Sequence, residues 1–289
     1  MLSKVALVTG ANKGIGYAIV RNLALQYAQR ISTVPLTIFL TARNQNLGQE
    51  SLKKIEQELK SRQILKDDSG KIELKFLRMD LTDEQSIKDV GEILERDYNG
   101  LDILINNAGI AFRGNVFDTN VVRTTLATNF YGTLNVCNHL YPLIRPNGRL
   151  VNISSGVGKL KILSSELQKE FSRDDLDING LIGLMKKFEK DVEENRWKEE
   201  GWPTQSYAVS KVGVTALTKI FARRADSEGK NILVHACCPG WVATDMTVPN
   251  ASRTPDQGAE TPVYLSLDEE VVPKTKNGEF WIYNKVVSW

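Results

Sequence analysis

The sequence predicts a single α/β domain built on a doubly wound parallel sheet, and three observations carry that prediction. Short strand-like runs recur at 5–8, 36–40, 73–79, 103–105, 149–153 and 232–236, the first of them a continuous apolar stretch with the look of a buried strand. Helical patterns fill most of the intervals, and such alternation makes a parallel sheet covered on both sides. The 289 residues, 42% hydrophobic, enclose a substantial core without any composition shift that would mark a second domain.

The first element is Val5-Ala6-Leu7-Val8, followed at once by Thr9-Gly10-Ala11-Asn12-Lys13-Gly14-Ile15-Gly16. This reads as strand, glycine turn, helix. Gly10 permits the tight turn, and Gly14 and Gly16 let a ligand backbone and the helix approach closely. The amides at the helix start then face a pyrophosphate. The pattern therefore predicts dinucleotide binding, in a crevice beyond the carboxyl ends of the strands.

The second strand ends in Thr41-Ala42-Arg43. A carboxylate here would hold the ribose hydroxyl of NAD and repel an added phosphate. None is present; Arg43 offers a planar fork for phosphate and Lys13 a second cation from the glycine turn, so the expected cofactor is NADP(H). The charged stretch Lys66-Asp67-Asp68-Ser69-Gly70-Lys71 is an exposed turn before the third strand. Ser154 and Ser155 close the fifth strand; adjacent strand residues point to opposite faces, and the residues alone leave open which one meets the crevice.

Tyr207 and Lys211, in Tyr-Ala-Val-Ser-Lys, are four apart, which on a helix brings their heads together on one face. An ammonium beside a phenol favours the phenolate and makes the tyrosine able to exchange a proton with a substrate. Ser155 and Tyr207 stand fifty-two positions apart. Within that interval Ser165-Glu166-Leu167-Gln168 has the spacing of a capping box, and Leu181, Leu184, Met185, Phe188 and Val192 form a helical apolar stripe in a charged segment. A docked helical insertion over about 156–206 is therefore expected before Tyr207.

Taken in order, Thr9 to Gly16, Met79-Asp80-Leu81, Asn106-Asn107-Ala108-Gly109, Asn129, Asn152-Ile153-Ser154-Ser155, Tyr207 to Lys211 and Pro239-Gly240 resemble the short-chain dehydrogenase/reductase family almost end to end. Longer runs, Ala11 to Val20, Asn106 to Phe112, Glu200-Gly201-Trp202-Pro203 and Ala236 to Val242, are most similar to its animal cytosolic carbonyl reductase subgroup. The resemblance implies a Rossmann-type fold and a catalytic tetrad of Asn129, Ser155, Tyr207 and Lys211. In such a tetrad Tyr207 donates the proton and Ser155 helps stabilise the oxyanion. Lys211 lowers the tyrosine pKa and holds the nicotinamide ribose, while Asn129 anchors a water that returns a proton from solvent. It implies cofactor contacts from Gly10, Asn12, Lys13, Gly14, Ile15, Gly16, Arg43, Asp80 at the adenine, Leu81, Asn106 along the ribose path, Pro239, Gly240, Val242 and Thr244. In this subgroup the insertion lies over the surface that other members use to pair subunits, which implies a monomer.

Phe112, Trp202 and Trp241 are candidate walls of a substrate pocket with Ser155 and Tyr207, suited to flat apolar carbonyl compounds. The resemblance points to quinones, aromatic aldehydes and ketones. Reduction of such compounds is the leading expectation; an NADP-dependent dehydrogenase of a specific alcohol, such as a steroid or prostaglandin, and a non-catalytic NADPH-binding redox sensor are the alternatives.

With 37 basic and 35 acidic side chains the formal charge is +2, which gives no electrostatic case for nucleic acid. No apolar run is long enough to span a bilayer and none near residue 1 reads as a signal peptide, so no membrane partner is expected and a cytoplasmic location is. Cys137, Cys237 and Cys238 are few, odd in number and poor disulfide candidates, as in a reducing compartment. His139 and His235 stand at no metal-ligand spacing, and no metal is expected.

Overall fold

The structure, a computed structural model, describes residues 3–114, 116–247 and 251–289. Its centre is one sheet of eight strands: β1 (Lys4–Val8), β2 (Leu36–Ala42), β3 (Ile72–Arg78), β4 (Leu101–Asn106), β5 (Ile144–Ile153), β6 (Leu233–Cys238), β7 (Phe280–Ile282) and β8 (Lys285–Val287). Their spatial order is β3-β2-β1-β4-β5-β6-β7-β8, and every pair from β3 to β7 is parallel. The six expected strands are all present. The last two were not expected, and β8 runs antiparallel to β7, so the sheet is parallel except at this edge. A two-residue turn joins them, with Tyr283 and Asn284 at φ 52° and 58°, the left-handed pair that a tight hairpin requires.

The helices are α1 (Gly14–Ala28), α2 (Gln45–Lys60), α3 (Glu84–Tyr98), α4 (Thr119–Leu126), α5 (Thr133–Leu140), α6 (Ser165–Ser172), α7 (Ile178–Glu193), α8 (Ser206–Glu228) and α9 (Pro255–Leu267). Strand alternation divides their packing between two faces. Ala6 and Val8 of β1 join α1, α2 and α9 in one apolar layer, while Val5 and Leu7 join α3, α4, α5 and α8 in the other. Because β1 has β2 on one side and β4 on the other, the chain reverses its winding there and leaves a crevice above the strand ends. No helix of the described residues is long and apolar enough to cross a membrane.

Between Ser155 and Tyr207 lie α6 and α7 as an extra helical layer. Leu181, Met185, Phe188 and Val192 of α7 are buried as the stripe requires, with Leu184 partly buried beside them. The cap of α6 falls one residue earlier than the spacing suggested. Ser164, not Ser165, accepts from the Leu167 amide, and Gln168 turns back to donate to the Leu163 carbonyl at 2.8 Å.

Candidate active site

A cleft of about 620 Å³ runs across the carboxyl ends of β1, β2, β4, β5 and β6. Its floor at one end is the turn after β1. Gly10 has φ 61°, and a Cβ there would lie 2.8 Å from the Cα of Ala108, so only glycine lets the two strand ends close. Asn107 stitches the same junction: its side chain donates to the carbonyls of Thr9 and Gly10 at 2.9 and 3.1 Å, and its amide donates to Thr9 Oγ1 at 2.9 Å. Asn12, Lys13, Gly14, Ile15 and Gly16 line the cleft around the amino end of α1, where helix amides and dipole favour an anion.

Arg43 and Asp80 border the cleft near this end. Burial works to raise the Asp80 carboxyl, but hydrogen bonds from the Thr82 amide and hydroxyl, helped by Arg43, hold it below the ordinary carboxylate range. No carboxylate follows β2, and Arg43 is exposed there. These residues fit a dinucleotide carrying a ribose phosphate: glycines that admit a backbone, a helix start for the pyrophosphate, and an exposed guanidinium with no carboxylate directly after β2. Lys13 is less free than expected, because Asp245 pairs with it at 2.7 Å across the mouth of the cleft.

At the other end stand Ser155, Tyr207 and Lys211. Tyr207 is on the first turn of α8 and Lys211 one turn on, with the ammonium 5.7 Å from the tyrosine ring centroid. Lys211 donates to the Ile153 carbonyl at 2.7 Å. Burial pushes its pKa down to about 8. The phenol of Tyr207 is pushed up to about 12, chiefly by burial and then by Cys238, against a lowering hydrogen bond from Ser155. The expected depression of the tyrosine by its lysine is thus not what the protein groups alone produce, since desolvation weakens the lysine charge as it raises the phenol. Of the two serines, Ser154 turns into the core, donating to the Lys211 carbonyl at 3.0 Å and sharing a hydrogen bond with Thr215 at 2.6 Å. Ser155 is left facing the cleft.

Leu81, Pro239, Gly240, Val242 and Thr244 also line the cleft. Asn106 does not. It faces the other side of β4 and donates to Asn152 at 2.8 Å; strand alternation hands the cleft to Asn107, whose place one residue later was the signal for it. Asn129 is fully buried beneath the loop after β4. Its carboxamide accepts from the Ile110 amide at 2.8 Å and donates to the Ile110 carbonyl at 2.9 Å and to Ser210 at 3.0 Å. Both donors are committed, and the side chain holds the loop. It sits in a π-helical segment, Ala127–Gly132, between α4 and α5, a type of bulge that often marks functional sites.

The protein-family model for the short chain dehydrogenase matches residues 4–166. Carbonyl reductase (NADPH) 1 of Bos taurus is 43% identical, the alignment covering 99% of this chain and 98% of the relative. The chain belongs to the short chain dehydrogenase family. Carbonyl reductase (NADPH) 3 of Rattus norvegicus is 44% identical over 92% of this chain and 91% of its own. Among solved structures, salutaridine reductase from Papaver somniferum shares the fold with a TM-score of 0.80 at 24% identity, covering 96% of this chain and 99% of that one.

Of the three aromatic candidates in this short chain dehydrogenase, Phe112 and Trp241 are about half exposed. Phe112 lines a neighbouring hollow with Asp245 and Met246. Trp202 is no pocket wall. It is 3% exposed, packs edge-on to Phe171 and against Phe188, and donates from Nε1 to the buried Asp191 at 2.8 Å. Trp202→Phe is accordingly expected to cost about 1–3 kcal/mol of stability by leaving Asp191 short of a partner, measured by denaturant unfolding, with kcat and KM unchanged.

Proposed function

We propose that this chain reduces carbonyl compounds, quinones and aromatic aldehydes and ketones among them, with NADPH as reductant and Tyr207 as proton donor. The observation that carries the reading is the pairing, in one cleft, of a neutral phenol flanked by Ser155 and Lys211 with a phosphate-fitting end at Arg43. NADPH, when bound, supplies the hydride to the carbonyl carbon. The chain's own task is at the oxygen. Tyr207, held protonated by burial, donates to it, and the Ser155 hydroxyl helps hold the charge that grows there. Lys211, fixed by the Ile153 carbonyl, sets a positive charge beneath the tyrosine ring. A phenol pushed up to about 12 keeps its proton at neutral pH, so the hydroxyl is there to donate to the carbonyl oxygen.

The relatives named carbonyl reductase support the choice of substrate class and cofactor. We extend the reading to a monomer acting in the cytoplasm: α7 lies across α4 and α8, covering helix faces that would otherwise be free to meet a second subunit. The test is NADPH oxidation with a panel of quinones and ketones, run beside NADH. Turnover with NADPH and little with NADH is expected. Arg43→Ala should then lower kcat/KM for NADPH by about 10- to 100-fold, the worth of one charge-assisted phosphate contact, while NADH turnover changes little. Equal use of both cofactors by the unaltered protein would remove the role given to Arg43.

A further inference from the structure

Ser155 is placed by a short turn, from which its hydroxyl meets Tyr207. The residue caps a 3-10 turn, Gly156–Gly158; its hydroxyl accepts from the Val157 amide at 3.4 Å, and the Gly158 amide donates to its carbonyl at 3.0 Å. Val157 is half exposed. Gly158 lies flat on α8, where a Cβ would come within 2.6 Å of the Lys211 Cβ and 2.9 Å of its backbone carbon. Among the described residues, one hydrogen bond reaches this turn from a distant part of the chain. Trp289 Nε1 donates to the Gly158 carbonyl at 2.8 Å.

The hairpin of β7 and β8 delivers Trp289 to this place. Its ring has the Lys219 ammonium 5.7 Å from its centroid, and it packs against the apolar cluster that holds α8 and against Ala236, Cys238 and Phe280. Lys219 stands eight residues beyond Lys211 on α8, two turns along the same face. The indole therefore lies along α8 with its N–H aimed at the turn that carries Ser155.

We propose that Trp289 is a positioning residue for Ser155: its indole N–H fixes the Gly158 carbonyl and so sets the serine hydroxyl in register with Tyr207. The ring supplies packing, which other aromatics match, and the N–H supplies direction, which they do not. The loss expected is therefore in the reaction step rather than in cofactor binding, because Trp289 stands at the serine end and Arg43 and the glycine turn at the other.

This inference rests on the proposed carbonyl reduction. The experiment compares the unaltered protein with Trp289→Phe, using the carbonyl substrate identified by the panel, with kcat expressed per NADPH-binding site counted by calorimetry. Trp289→Phe should lower kcat about tenfold, as small misplacements of a reacting group do, with KM and NADPH affinity within about twofold of the unaltered protein. Should the phenylalanine variant not fold, Trp289→benzothienylalanine, the same bicycle with sulfur in place of N–H, gives the same readout. An unchanged kcat in either folded variant overturns the inference, as does a fall matched by an equal loss of NADPH affinity, which marks a merely structural role. Failure of the unaltered protein to turn over any carbonyl compound overturns the reductase reading itself, and this inference with it.

Discussion

Tyr207→Phe should lower kcat for carbonyl reduction by about 10²–10⁴-fold, the range in which general acids contribute, with NADPH affinity within about twofold of the unaltered protein. The phenylalanine ring fills the same space on the first turn of α8, and Lys211 keeps its hydrogen bond to the Ile153 carbonyl. What disappears is the hydroxyl proposed to give a proton to the carbonyl oxygen. Single-turnover kinetics together with calorimetric titration of NADPH check this. A kcat within threefold or so of the original would take Tyr207 out of the mechanism and leave Ser155, or water, as the acid. Retained binding with abolished turnover separates an enzyme from a protein that only senses the cofactor.

Lys211 gives the second large effect, and its sign follows from burial. Its pKa is pushed down to about 8, so the ammonium is present below that pH and is lost above it. If the charge is required, kcat/KM for NADPH, which reports the free enzyme, is level below about pH 8 and falls about tenfold for each unit above it. Tyr207, pushed up to about 12, stays protonated through this range and contributes no second break. Lys211→Met should remove the break and about 10²-fold or more of the activity. The same substitution should raise the thermal midpoint at neutral pH. In the folded protein the lysine binds its proton less readily than in the unfolded chain, so protonation below about pH 8 opposes folding, and stability rises with pH between the folded and unfolded pKa values. A flat pH profile in the unaltered protein would show that Lys211 acts without its charge.

Most of the sheet was readable because β1, β2, β4 and β6 are buried along nearly their whole length, and continuous apolar runs such as Val5 to Val8 leave little choice of structure; β3, at the edge, alternates buried and half-buried residues. β7 and β8 escaped because each is three residues long; the available sign was Tyr283-Asn284 between two apolar runs, a turn dipeptide with asparagine at a left-handed position. The glycine turn and the residues of α8 are local patterns, and the structure brings them to one cleft. Side-chain direction was less legible. Asn106 and Asn107 differ by one step of strand alternation, which decides between the core and the cleft. Trp202 carries no periodicity at all, so nothing in the sequence indicated that its partners would be Phe171, Phe188 and Asp191.

The burial of α8 has a consequence for how the enzyme fails. This helix packs on the sheet through Val212, Ala216 and Val234 of β6 and is covered from outside by α7, so it is wrapped by the protein on nearly every side. Helices held in this way belong to the last cooperative unit to open, whereas loops and chain ends open locally and often. Tyr207 and Lys211 are part of that unit. The proposed proton donor cannot fray ahead of the domain, and heat should extinguish the chemistry only when it dismantles the fold.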